Sequence, residues 1–362
     1  MQFKFTNSTY DSELLYLRNT LQYLTFMKWI NMENELNANT KADLISIGSV
    51  QVDKSLFPDQ CKSTATAGPG AGGSSIFLRA GNQRVRLSIN NLSPFHLLPE
   101  NEHVVVTKGQ DVIARGVLEL PLCHCPEQAY ITLSEKCVYD CQFCPVPKLN
   151  GKIKNSTKVQ QMVAEAYGTG QLKAISLTSG VAVSPEKEVK RAVGIIKQLA
   201  REYDIPIGVS VYPTKDSSEK LYSAGACEVK YNVETMDPEL FRRFCPDLSL
   251  PSVIEALDNA VNIFGRNRVS SNFIIGLGES DDTVRKGIEC LVGRCVIPIL
   301  RPISPHPLRN NVRNINRPDA SRLLRLGGML RDLLDRQSLY VNKSRTMCLL
   351  CTGCDLTPHR DI

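Results

Sequence analysis

The sequence predicts an α/β protein, either a barrel or a doubly wound sheet, preceded by a smaller β-rich unit. Three observations carry that expectation. From about Ala129 onward, short apolar runs alternate with helix-patterned ones, and the alternation repeats six times. Between Ile76 and Leu120 the pattern is instead a series of short alternating runs, SIFLRAG, RVRLSIN, HVVVTKG and VIARGVLEL, parted by turn residues. The chain is also 362 residues long, which suggests two domains at about 150 residues each.

Taken in order, residues 11–36 place Leu14, Leu15, Leu17, Leu21, Leu24 and Trp29 at roughly helical spacing, which predicts one or two helices. TATAGPGAGGSS (64–75) is small and glycine-rich, so it reads as a loop; its GPGAGG lacks the Gly-Lys-Ser/Thr ending of a phosphate loop. AYITL opens the alternating region and is followed by a cysteine loop and a helix near 156–167. KAISLTSG precedes a helix over 186–202, IPIGVSVYP a short one near 216–224, and CEVKYNVET the segments 238–244 and 252–264. In the last of these Ser252 is the expected N-cap, and Gly265 stands just past the end. VSSNFIIGLG precedes a helix near 281–291. CVIPILRPI precedes one starting at Pro318, a good first-turn position. The stripe Leu323, Leu326, Leu330, Leu333 and Leu334 is built for core packing. LYVN (339–342) reads as one further strand unit. The divisions are an N-terminal helical and β-rich region (1–125), the α/β region (126–338) and a C-terminal cysteine loop (339–362).

Hydrophobic residues make up 42% and charged residues 22%, a globular balance that excludes a mostly disordered chain. The net charge of +6, with no clustered basic stripe, argues against a dedicated nucleic-acid binder. No apolar run approaches the roughly 18–20 residues of a membrane span. The opening MQFKFTNSTYDSELLY shows no basic leader before an apolar stretch. A cytoplasmic protein with neither membrane nor nucleic acid as partner is expected. The thirteen cysteines are an odd number in a long chain, which points away from a disulfide framework and toward metal or cluster ligation. Cys137, Cys141 and Cys144 form one group, Cys348, Cys351 and Cys354 another, and Cys123 and Cys125 a close pair. The scattered Cys61, Cys227, Cys245, Cys290 and Cys295 are expected to be small buried hydrophobes.

The first group, CVYDCQFC, follows a predicted strand directly. Three thiolates on one loop can ligate three irons of a 4Fe–4S cluster and leave the fourth iron open to a non-protein ligand. The alternative is a zinc site or a ferredoxin-like cluster whose fourth ligand lies elsewhere. Polar residues gather at the ends of later strands: LTSG (177–180) with Thr178, Ser179 and Gly180; YNVET (231–235) with Asn232 and Glu234; and IIGLGES (274–280) with Gly276, Gly278 and Glu279. In α/β barrels function sits at these strand ends. Glycines let a backbone approach a flat ring, and a few convergent polar groups suit a ligand pocket. Taken singly, each segment also fits a turn or a helix cap.

Together these motifs resemble the radical S-adenosylmethionine (SAM) superfamily over about 129–310. Phe143 matches the aromatic position before the last cysteine of the family motif. LTSG resembles the segment that binds the methionyl amino group, YNVET the N-x-[DE]-T segment of biotin and lipoyl synthases, and IIGLGES the adenine-contacting segment. Asn272 departs from that pattern, replacing its first glycine. The resemblance implies a partial (β/α)6 TIM barrel, a 4Fe–4S cluster on Cys137, Cys141 and Cys144, and SAM as cofactor. It further implies reductive cleavage of SAM to a 5′-deoxyadenosyl radical that abstracts hydrogen from substrate, with ferredoxin or flavodoxin as electron donor.

The second group, in RTMCLLCTGCDLTPHRD, reads as the holder of a second 4Fe–4S cluster, against a small zinc site or free thiols. Its fourth ligand stays open among Cys123, Cys125, a serine and the substrate. Cys123-His124-Cys125 lies just before the first barrel strand, near the barrel end opposite the SAM site, which weakens it as that partner. Two clusters in a radical SAM chain suggest sulfur insertion. Ser176, Ser210 and Ser270 stand where biotin synthases carry strand cysteines, and the N-terminal C-x4-C-x5-C of standard lipoyl synthases is lacking. The resemblance is therefore to archaeal-type biotin-synthase-like proteins, some of which act as a two-protein lipoyl synthase. It implies sulfur insertion into an octanoyl chain on a lipoyl-carrier protein, with a second radical SAM subunit as partner. The alternatives are a rearrangement or cofactor-assembly enzyme with an electron-relay cluster, and a non-catalytic iron–sulfur carrier. Arg301 is read either as a carboxylate binder or as part of a rim salt bridge, and His306 as a turn residue.

Overall fold

The computed structural model describes residues 36–64, 66, 68, 71–309 and 315–362. The helices expected over 11–36 lie mainly outside the described residues. The first unit is a seven-stranded sheet of β1 (Ser49–Val50), β2 (Ser63–Thr64), β3 (Ser74–Ala80), β4 (Gln83–Ile89), β5 (His96–Glu100), β6 (His103–Lys108) and β7 (Asp111–Leu118). Its order is β1-β4-β3-β7-β6-β5, with β2 on β3. Pairing is antiparallel except for β1 on β4. Alternate apolar residues such as Ile76, Leu78, Val85, Leu87, Val104 and Val106 meet Leu44 and Ile45 of the helix Ala38–Ile47 in one core. Asn37 caps that helix by accepting from Thr40 N.

The second unit is a six-stranded parallel sheet of β8 (Gln128–Thr132), β9 (Ala174–Thr178), β10 (Ile207–Ser210), β11 (Glu228–Lys230), β12 (Val269–Ile275) and β13 (Ile297–Pro302), in chain order from one edge to the other. Helices connect each strand to the next, and the sheet curls into a partial TIM barrel. Residues on one face, among them Ile131, Leu177, Val209 and Val229, pack against those helices in the largest core. The alternate residues are polar: Tyr130 and Thr132, Ser176 and Thr178, Ser210, Lys230, Asn272. A filled barrel would carry apolar side chains there; this inner face is prepared for something else.

Three local expectations are corrected. The helix Leu250–Phe264 is capped by Ser249, whose hydroxyl accepts from Ser252 N, so Ser252 lies inside the first turn. The helix Ala320–Arg336 begins after Asp319, whose carboxylate accepts from Arg322 N at 2.8 Å, so Pro318 precedes the cap. LYVN forms no strand: Val341–Lys343 is a short 3-10 turn, with Tyr340 N bonded to the Asn267 side chain at 2.6 Å rather than to a sheet neighbour.

The helix Ala320–Arg336 serves both cores, with Leu323 in the first and Leu326, Leu330 and Leu334 in the second. The C-terminal segment does the same with polar groups. Buried Lys41 donates to the Asp361 carboxylate at 2.6 Å and to Thr352 O at 2.7 Å. Arg86 N of β4 donates to Gly353 O at 2.6 Å.

Candidate active site

The loop after β8 carries Cys137, Cys141 and Cys144, all half-buried, at the edge of the sheet where barrel enzymes hold their reactive groups. It is pinned from several sides. Val138 N donates to Val181 O at 2.7 Å and Gln142 N to Phe244 O at 2.8 Å. Asp140 N donates to Asp247 at 2.7 Å. Arg309 reaches Cys144 O at 2.7 Å and the Asp140 carboxylate at 2.6 Å. Phe143 is buried in the barrel core and anchors the loop between two of the cysteines. Gly180 N donates to Ser134 O, and a Cβ on Gly180 would overlap Lys136 O, so the loop can pass only over a glycine.

Burial raises the Cys137 thiol and pushes Cys144 up to about 12, and neighbouring thiols add to both shifts. Backbone amides of Val181 and Tyr139 at Cys137, and of Val146 at Cys144, act the other way. The neighbouring Cys245 thiol, together with burial, raises the Cys141 thiol. Cys245 is thus a core residue, as the sequence suggests, and also a neighbour of the cysteine loop, which the sequence does not reveal. Among the described residues no three His, Cys, Asp or Glu side chains converge on one point as a single metal ion requires. A cubane asks for one thiolate per iron corner.

The strand-end segments separate into two kinds. Thr178 and Asn232 face the inner cavity. Asn232 accepts from Asn272 N at 3.3 Å. Glu234 holds a left-handed backbone, φ 58°, unusual for a non-glycine residue and typical of functional positions. Burial pushes its carboxyl to about 7 against the Asn232 hydrogen bond and the charges of Lys230 and Arg301. The other residues shape turns. Ser179 donates to buried Glu188 at 3.0 Å. Gly276 and Gly278 sit at φ 108° and 111°. The Glu279 carboxylate accepts from Gly276 N and Leu277 N, each at 2.7 Å, and from Arg322 at 3.0 Å. Glu279 therefore closes its own loop.

A cavity of about 210 Å3 occupies the half-barrel. It is lined by Thr178, Ser210, Asn232 and Asn272 of the sheet and by Cys348, Cys351 and Cys354 of the tail. Asn272 Oδ1 is buried with no hydrogen-bond partner among the described residues. The cysteine wall is set by the tail. Glu228, at the start of β11, accepts from Arg345 N at 2.8 Å, Thr346 N at 3.0 Å and the Thr346 hydroxyl at 2.5 Å. Gln128 donates to Met347 O, and Met347 N donates to the Ser176 hydroxyl. The tail thus plugs the N-terminal mouth of the half-barrel. Lys230 Nζ then lies 3.4 Å from Cys348 Sγ, and Arg301 pairs with Asp355 at 3.2 Å. His306 accepts from Leu308 N in its own turn.

This placement corrects one expectation. Cys123-His124-Cys125 is not remote from the second cysteine group, because the tail carries that group to the same end. Cys125 is buried in one small cluster with Cys351 and lines the same cavity. Cys123 instead packs against the barrel core, where burial pushes its thiol to about 11.

Residues 131–291 match the family model of the Radical SAM superfamily. This stretch is a radical SAM domain. No curated protein matches the chain. Among solved structures, methylornithine synthase (PylB) is similar at 18% identity and a TM-score of 0.47, over 65% of this chain and 78% of that one. A radical SAM methyltransferase from Sphaerobacter thermophilus is similar at 16% identity and 0.48, over 78% and 80%. The FeFe-hydrogenase maturase HydG from Carboxydothermus hydrogenoformans is similar at 17% and 0.48, over 57% of this chain, which spans about half (51%) of the maturase.

A radical SAM domain implies a 4Fe–4S cluster and SAM. The donor set fits: three soft thiols on one pinned loop, with backbone amides at two of the sulfurs. The orphaned Asn272 oxygen and the raised Glu234 carboxyl beside the loop are polar groups suited to a ligand. Among the described residues no helix is long and apolar enough to cross a membrane.

Proposed function

We propose that this radical SAM protein inserts sulfur into an unactivated carbon chain, with Cys348, Cys351 and Cys354 holding a second 4Fe–4S cluster. One observation carries the reading: a single cavity is lined both by strand-end polar residues and by all three tail cysteines. Cys137, Cys141 and Cys144 lie outside this lining, so a radical formed at the first cysteine loop would reach sulfur held by the tail through the strand-end residues of this cavity. When bound, the first cluster and SAM would supply a 5′-deoxyadenosyl radical that carries off a substrate hydrogen as 5′-deoxyadenosine, and the second cluster would supply the sulfide, with its iron taking the electron released as the carbon–sulfur bond replaces an iron–sulfur one.

The chain's own residues bind, orient and exclude water. Arg309, Asp247 and the Phe244 carbonyl hold the first cysteine loop. Thr178, Asn232 and Asn272 offer polar contacts to a ligand in the cavity. Lys230 donates toward Cys348 and holds charge at the second site. Buried Met347 and Leu349 seal the mouth below it. The proposed substrate is an octanoyl chain on a lipoyl-carrier protein, with ferredoxin or flavodoxin as reductant and a second radical SAM subunit sharing the reaction.

The test compares anaerobically reconstituted wild type with the Cys348/Cys351/Cys354→Ala variant. About eight irons falling to about four would establish the second cluster. Turnover with octanoyl-carrier should then produce thiolated product and lower the acid-labile sulfide. Sulfide that stays constant through turnover would assign the cluster to electron relay and overturn sulfur donation.

A further inference from the structure

We infer that Cys125 is the fourth protein ligand at the second cluster, so that Cys125, Cys348, Cys351 and Cys354 form a closed four-thiolate site. The inference rests on the second cluster proposed above. It holds whether that cluster gives up sulfide or relays electrons.

Contact comes first. Cys125 and Cys351 pack in the same small buried cluster. Both are buried, at 0% and 7% exposure, in one small nest with Phe77 and Tyr130. All four cysteines line the same cavity. Cys123, only two residues away, lies against the barrel core instead and does not line it. The pair Cys123–Cys125 is therefore split by the lead-in to β8, where Cys125 bridges to Gln128 and fixes its own direction.

Charge is the second argument. A cubane bound by four thiolates is an anion, and a buried anion needs cationic partners. Arg86, Lys230, Arg301 and Arg317 all line this cavity, with Asp355 the one acid among the described lining residues. Arg86 Nε is buried without a hydrogen-bond partner among the described residues. Lys230 already donates to one of the four sulfurs. Arg84 braces the backbone of another, donating to Cys351 O at 3.2 Å. Three tail cysteines with a neutral fourth ligand would call for less of this positive charge.

The site also joins parts of the chain that lie far apart in sequence. Cys125 belongs to the barrel's entrance and the other three to the tail, so the cluster would staple one to the other.

The experiment uses full-length protein, reconstituted without oxygen, as wild type, Cys125→Ala, Cys125→Ser, Cys123→Ala and the triple tail variant. Iron, zinc and sulfide are counted, and reduced samples are examined by EPR. Wild type and Cys123→Ala should hold about eight irons with the same second-cluster EPR signal, while Cys125→Ala should either lose that cluster or keep it with a changed signal from an iron left open by the missing thiolate. The first cluster's EPR response to added SAM should persist in Cys125→Ala, showing that the barrel is folded. Cys125→Ser should shift the second cluster's g values, since a hard alkoxide replaces a soft thiolate. A wild-type second-cluster spectrum in Cys125→Ala or in Cys125→Ser would overturn the assignment while leaving the second cluster intact. Zinc instead of iron at the four cysteines would overturn it as well. Should Cys125→Ala not fold, the serine variant decides alone. A triple variant holding as much iron as wild type would remove the second cluster itself, a different failure from that of Cys125.

Discussion

Glu228→Ala should free the cysteine tail without unfolding the barrel. Glu228 is buried at 3% exposure, and its carboxylate accepts from Arg345 N, Thr346 N, the Thr346 hydroxyl and Arg268. Truncation leaves the Thr346 amide and hydroxyl buried without this partner, each costing about 1–3 kcal/mol. The carboxylate itself is held at a cost: burial raises its pKa in spite of those hydrogen bonds, so part of the loss is returned when the charge is removed. A net cost of about 2–4 kcal/mol remains, which is roughly a 30- to 900-fold rise in the open population of the tail at 1.36 kcal/mol per decade. Amide hydrogen exchange over residues 344–357 should accelerate by that factor, while amides of β9 and β12 keep their protection. Iron content should fall toward that of the triple tail variant, and the first cluster should keep its response to SAM. Unchanged protection over 344–357 together with full iron content would refute the reasoning, because the tail would then be held by its apolar contacts alone.

Arg309→Ala removes the donor to Cys144 O and the partner of Asp140; SAM cleavage to 5′-deoxyadenosine should fall about 10- to 100-fold, as expected when a reacting group is displaced by about 1 Å, and a rate within twofold of wild type would show the loop to be self-supporting. Gly276→Ala forces an L residue to φ 108° and drives a Cβ into Asn316 O; it should cost about 2–4 kcal/mol in urea denaturation, and a loss below about 0.5 kcal/mol would contradict the tight turn. Glu127 gives the acid limb of stability: burial raises its pKa, but hydrogen bonds from Lys173 and Arg84 outweigh this and leave it below the ordinary range. Its contribution is therefore present above the unfolded pKa and lost as pH falls through the lowered folded one. Metal-free protein should lose up to about 1 kcal/mol below about pH 4.5, and Glu127→Gln should flatten that slope; an unchanged slope would assign it to other carboxylates.

Much of the fold is legible because parallel strands and their helices obey different periods. Six strands follow from that alternation, whereas their order, barrel or doubly wound, is left open by it, and the cysteine loop falls at the expected strand end. The misread positions share one physical cause: local patterns offer two acceptable partners and tertiary structure picks one. Ser249 and Ser252 can each cap a helix, and register selects Ser249. Asp319 competes with Pro318 for the start of its helix and wins because its carboxylate reaches Arg322 N. LYVN has strand-like residues, yet Asn267 takes the backbone donor that a sheet would need. Glu279 looks like a ligand contact in IIGLGES, and its two oxygens are used by its own turn.

The site shows where such reading stops. Polar residues at every second position, Tyr130 and Thr132, Ser176 and Thr178, already say that the inner face of the half-barrel is not a filled core. They do not say what closes it. The closing segment is the tail, and its docking depends on Glu228 and Gln128, which begin their strands, and on Ser176 in the middle of β9, three buried polar groups away from the strand ends that suit a ligand site. Seen as sequence they are unexplained polar residues in strands; in the structure they are the receptor for residues 345–347. A buried polar side chain without a local partner is costly, so its presence near the start of a barrel strand is itself evidence that another part of the chain must come to meet it. That reasoning brings the second cysteine group to the barrel mouth, and with it Cys351 to Cys125.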